Sequence, residues 1–77
     1  MRWQDRIESD PGKLAGKPVV RGTRIAVDLV VGLVADGVDE ATILANYPGL
    51  TAEDVRACLH YAAAVLREER RFPLPAA

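Results

Sequence analysis

The sequence predicts a mainly α domain, three helices with the last two in helix-turn-helix spacing, preceded by short N-terminal β-strands. Three observations carry that expectation. From Val27 to Leu66 the apolar residues recur at helical spacing and are interrupted at Gly37 and at Pro48-Gly49. Before Val27 they come in short groups separated by turn residues, the pattern of brief strands. Finally, a chain of 77 residues that is 49% hydrophobic can enclose one core only.

The elements follow in order. Over residues 2–8, Trp3 and Ile7 fall on one side and Arg2, Gln4, Arg6 and Glu8 mainly on the other, which predicts a strand whose apolar face Asp5 interrupts. Asp10-Pro11-Gly12-Lys13 is turn chemistry, and two further strands are expected at about 18–20 and 23–25 around Arg21-Gly22. Val27 to Asp36 is apolar almost all round, with Asp28, Gly32 and Asp36 on one narrow stripe, so this helix is expected to be nearly engulfed. Gly37 is placed to end it in the left-handed conformation. Asp39 caps a second, short helix that Pro48-Gly49 stops. Thr51 caps the third, with Asp54 in the capping-box position and Leu50 stapled to Val55. Its core stripe reads Val55, Cys58, Leu59, Ala62, Val65 and Leu66, and it runs to about Arg70 before Pro73 forbids more. Residues 1–69 thus make a single domain and residues 70–77 an extended tail.

Composition narrows the function classes. So small a domain buries roughly 60% of the surface its unfolded chain exposes, and strands this few need a partner, so a homodimer is expected. Net charge is only −1, which excludes a uniformly basic nucleic-acid binder. The charge is nevertheless segregated. Residues 1–24 hold six Lys/Arg against three acids, residues 25–54 no Lys/Arg against six acids, and residues 55–77 four Arg against two acids. A lone Cys58 can form neither an internal disulfide nor a multi-Cys zinc site. Charges stand where a signal peptide needs an apolar run, and no stretch approaches the about 18–20 apolar residues of a membrane span. A cytoplasmic, membrane-free protein is expected.

The motifs point to binding rather than catalysis. Tyr47-Pro48-Gly49-Leu50 between two short helices has helix-turn-helix spacing, which equally fits a plain tri-helical core. The exposed start of the third helix reads Ala52, Glu53, Asp54, Arg56, Ala57 and His60, and its two carboxylates would repel a duplex, although acids also stabilise a helix N-terminus. For DNA binding, Arg56 and His60 are the base-edge candidates, with Lys17, Arg21 and Arg24 on the phosphates as a compact basic patch that equally fits a solvated hairpin. Gly12 to Lys17 is one residue short of a phosphate loop and Pro18 stands where Ser or Thr must meet magnesium, which excludes that site. No Cys or Ser is arranged with His60 as a nucleophile pair, and Asp36, Asp39 and Glu40 are accounted for without a metal, so no enzyme, metal or cofactor is expected. The terminal run from Arg67 through Arg70, Arg71, Phe72 and Leu74 reads either as a frayed helix end or as a docking segment. In the second case Phe72 and Leu74 are pre-stiffened by prolines, and the Arg groups face an acidic site.

Three stretches, Gly16-Lys-Pro-Val-Val-Arg-Gly-Thr-Arg-Ile25, Leu33-Val-Ala-Asp-Gly37 and Tyr47-Pro-Gly-Leu-Thr-Ala-Glu-Asp-Val-Arg-Ala-Cys-Leu-His-Tyr-Ala62, together resemble the bacterial domain-of-unknown-function family numbered 433. The resemblance covers about Ile7 to Leu66. It implies a homeodomain-like, winged-helix-related fold dimerising through N-terminal strands. It further implies the antitoxin of a type II toxin–antitoxin pair, which neutralises a PIN-like nuclease toxin through its C-terminal part and binds operator DNA through its helix-turn-helix. The tail after Leu66 lies outside the resemblance, and Arg67, Arg70, Arg71, Phe72 and Leu74 are the toxin-binding candidates by the docking reading of that tail. The alternative is a stand-alone dimeric DNA-binding transcriptional regulator. Lys17, Arg21, Gly22, Thr23 and Arg24 match the family's signature run, which also suits a structural turn.

Overall fold

The computed structural model describes residues 2–68. Two short strands, β1 (Ile7–Ser9) and β2 (Pro18–Val20), pair antiparallel with Ile7 opposite Val20, and three helices follow: α1 (Val27–Ala35), α2 (Glu40–Asn46) and α3 (Ala52–Glu68). The mainly α, three-helix architecture expected from the sequence is the one observed. No described helix is long and apolar enough to cross a membrane.

Two of the three expected strands are corrected. Instead of a strand over 2–8, Trp3–Arg6 form a 3-10 turn and only Ile7–Ser9 enter the sheet. Trp3 and Ile7 lie four residues apart, a spacing that a helical turn satisfies as well as an alternating strand. The turn sets the Trp3 ring edge-on against Tyr61, centroids 6.1 Å apart at 74°. Asp5, which interrupts a strand face, pairs instead with Arg2 at 3.6 Å. Residues 23–25 are not a strand either; the segment meets β2 through a bridge from Val19 to Ala26, a bond from the Val20 N–H to the Ile25 carbonyl and the bonds of Thr23 to Val20. Thr23 diverts it: its hydroxyl donates to the Val20 carbonyl (2.7 Å) and accepts from the Ile25 N–H (3.0 Å). The preceding turn needs Gly22 at φ +78°, a region that side chains with a Cβ rarely enter. The signature run is therefore a turn built from its own backbone needs.

The helix boundaries follow their local chemistry. Gly37, at φ +83°, ends α1, with bonds from its N–H to Val34 and from the Val38 N–H to Leu33, the paired closure of a Schellman motif. Asp39 accepts from the Thr42 N–H at 2.8 Å and so caps α2. At the start of α3 the Asp54 N–H donates to Thr51 Oγ1 (3.2 Å) and the Thr51 N–H to Asp54 Oδ2 (3.0 Å), a reciprocal capping box.

The core joins Val20, Val27, Val30, Ile43, Leu50, Val55 and Cys58, with Ile7, Ile25 and Tyr61 packed at its edge. Helix α1 is not engulfed: of its nine residues only Val27 and Val30 are buried, and Leu29 is 40% exposed. The stripe on α3 is also shorter than its periodicity predicts. Val55 and Cys58 are buried, joined by Asp54 and Ala57, but Leu59, Val65 and Leu66 are exposed. Helices as short as α1 and α2 cover mainly the first half of α3, so Val65 and Leu66 are left exposed.

Candidate nucleic-acid interface

Helices α2 and α3 meet through Tyr47 to Thr51. The turn is closed by bonds from the Tyr47 N–H to Ile43 and from the Leu50 N–H to Tyr47, and anchored by buried Leu50. This holds the start of α3 at the surface beside the N-terminal 3-10 turn. There the structure supplies a residue that the sequence reading omitted. Arg6 directs one guanidinium nitrogen to Asp54 (3.0 Å) and the other to Glu53 (3.3 Å), so the two carboxylates expected to repel a duplex share one bound cation. Asp54 is only 6% exposed and also holds the capping box, which makes it a structural group rather than a surface charge. Ala57, likewise expected at the surface, is fully buried. A depression beside the helix start is lined by Arg2, Arg6 and Arg21 against Asp5, Glu53 and Asp54, three charges of each sign.

Arg21 is held there by a bond from its Nε to the Asp5 carbonyl (2.6 Å), while its own N–H donates to the Arg6 carbonyl. Arg24, Arg56 and His60 are exposed, and neither Arg24 nor Arg56 has an ion-pair partner among the described residues. Lys17 does not join them. It lies at the other end of β2, roughly 13 Å from Arg21 at strand rise, and pairs with Asp28 of α1 at 2.9 Å. The expected compact basic patch is thus split, with Arg21 beside the start of α3 and Lys17 on the α1 side. Of the tail residues expected to grip a partner, Arg67 is exposed on the last turn of α3, and Arg70, Arg71, Phe72 and Leu74 lie outside the described residues.

The titrating groups are structural. Glu8 accepts from Lys13 (3.0 Å) and from the Gly22 N–H (3.1 Å), contacts that hold its carboxyl below its usual range. The bonds from Thr42 do the same for Asp39. Burial, with the nearby Asp54 charge, pushes the Cys58 thiol up to about 11, so it is a protonated, inert core group at neutral pH. Among the described residues no three His, Cys, Asp or Glu side chains come together as a metal site.

These features define a three-helix domain preceded by an N-terminal hairpin. By its sequence the chain belongs to the DUF433 family, described as a protein of unknown function, whose pattern matches residues 7–62. It is 44% identical over 66 residues to the uncharacterized protein y4eO of Sinorhizobium fredii (strain NBRC 101917 / NGR234), a match covering 84% of this chain. The crystal structure at 2.00 Å of a DUF433 member protein from Anabaena variabilis ATCC 29413 is similar at 40% identity, with a TM-score of 0.76 over 84% of this chain. The chain spans 30% of the length of the first relative and 64% of the crystallised one.

Proposed function

We propose that this chain is the antitoxin of a type II toxin–antitoxin pair, working in the cytoplasm by binding alone. It contacts operator DNA through the start of α3 and neutralises a PIN-like nuclease through Arg67 and the residues that follow it. The observation that carries the DNA half is the Arg6 clamp. Arg6 offsets one of the two carboxylate charges of Glu53 and Asp54, and with Arg2 and Arg21 beside them against Asp5 the charges at the start of α3 balance, which lowers its repulsion of a phosphate backbone. Arg21 lines the depression beside that end and Arg56 stands exposed on α3, both suited to phosphates with the exposed Arg24, while Arg56 and His60 are the side chains offered to base edges. Lys17, bound to Asp28, takes no part. The nuclease half rests on the family resemblance and on the basic-apolar run that continues α3.

The test has two arms. The full chain and a chain ending at Glu69 are used to capture the nuclease encoded beside this gene; capture by the full chain alone is expected, and equal capture by both removes the tail from the mechanism. In parallel, binding to the DNA upstream of the gene is titrated at two salt concentrations. A steep loss of affinity with salt is expected, together with weakened binding to every sequence in the Arg21→Ala/Arg24→Ala variant. Retained DNA binding with no nuclease capture would favour the stand-alone regulator.

A further inference from the structure

Beside the first turn of α1 and the second half of α3 lies an apolar groove of about 430 Å³ that no described side chain fills. Val27 and Val31 line one wall, Tyr61, Ala62, Val65 and Leu66 the other. The α3 residues fall at i, i+1, i+4 and i+5 and the α1 residues at i and i+4, so each wall is one continuous helix face. At the rim, Lys17 and Asp28 are paired at 2.9 Å with side chains 56% and 66% exposed.

We propose that this groove is a self-association face, in which two copies of the chain pack their α1 and α3 faces together about a two-fold axis. A two-fold contact requires one patch to carry both a socket and what fills it. Here the groove is the socket, and Leu66, 68% exposed at its end, is the side chain that enters the socket of the second copy. The rim has the same property in charge. One cation and one anion, both more than half exposed, let Lys17 of each copy meet Asp28 of the other, so no charge is left unpaired as the faces close. This argues for a second copy over a strongly charged partner, which would find no net charge to meet. On α1 the same occupant is supported by Val31, a groove wall residue that one chain only partly buries. The pairing differs from strand-to-strand dimerisation, since the faces it joins belong to α1 and α3 and not to β1 or β2.

The experiment is light scattering of the full chain across a protomer concentration series up to about 100 μM. A dimer is expected, and Leu66→Arg should abolish it with an unchanged circular dichroism spectrum because Leu66 is outside the core. Lys17→Asp and Asp28→Lys should each weaken the dimer by about tenfold or more, through like charges across the interface. Mixing these two variants in equal amounts should restore a heterodimer. Neither variant retains the ion pair within its own chain, so only contacts between chains can produce that rescue. A monomer throughout the series, an unaffected dimer in Leu66→Arg, or no rescue on mixing would each overturn the proposal. A chain ending at Glu68 that dimerises where the full chain does not would overturn it too, by assigning the groove to the chain's own last residues.

Discussion

The two halves of α3 share a sequence rhythm and end in opposite environments. In the first half Val55 and Cys58 meet α1, α2 and β2, and both helix-start carboxylates are bound by Arg6. In the second, Val65 and Leu66 continue the same spacing into solvent and the open groove. Helical periodicity specifies which side chains share a face. Burial requires something opposite that face, and the short α2 and nine-residue α1 supply it only as far as Tyr61.

The same truncation made in each half measures that contrast most directly. At concentrations too low for self-association, Val55→Ala should cost about 1.5–3 kcal/mol in urea unfolding, since Val55 is 4% exposed in the core. Val65→Ala, at 39% exposure, should cost under about 1 kcal/mol. Equal costs would mean that the second half is covered within the monomer.

Next in size is the clamp: Arg6→Ala leaves the 6% exposed Asp54 carboxylate with only its cap bond, an expected loss of about 1–3 kcal/mol in thermal or urea unfolding. It should also weaken DNA binding without being a contact residue, by freeing Glu53. If stability and DNA affinity both survive the substitution, the helix start is not organised by Arg6. Thr51→Ala removes one arm of the capping box and should cost about 1 kcal/mol, read in the same way.

The last expectation has no effect at neutral pH. The Cys58 thiol titrates at about 11 when folded against an ordinary 9.0, so an unfolded chain loses this proton first as pH rises. Its contribution to stability is therefore complete below pH 9.0 and is lost between 9.0 and about 11. Comparing the pH dependence of unfolding with that of Cys58→Ala isolates the term, and parallel profiles would place the thiol in water.

Much of the scaffold was legible in the residues. Asp39, Thr51 with Asp54, and Gly37 act within one helical turn of themselves, so their cap and closure bonds are local chemistry that the chain order carries. Thr23 and Gly22 are of the same kind. The first strand was misread because Trp3 and Ile7 satisfy two periodicities, and the choice fell to Tyr61, 58 residues from Trp3 in sequence. Of the candidate interface, Arg21, Arg24, Arg56 and His60 were readable as exposed polar groups, whereas the separation of Lys17 from them needed α1 to place Asp28 beside it.

By itself, then, the sequence determined the single core, the order of the three helices and their ends, because composition and capping act locally. Tertiary structure alone decided that Arg6 pairs with Asp54, 48 positions away, and with Glu53 beside it, and that the later part of the apolar stripe of α3 faces an open groove. Ion pairing and burial depend on distance in space, and no spacing along a chain encodes which distant element arrives to meet a given face.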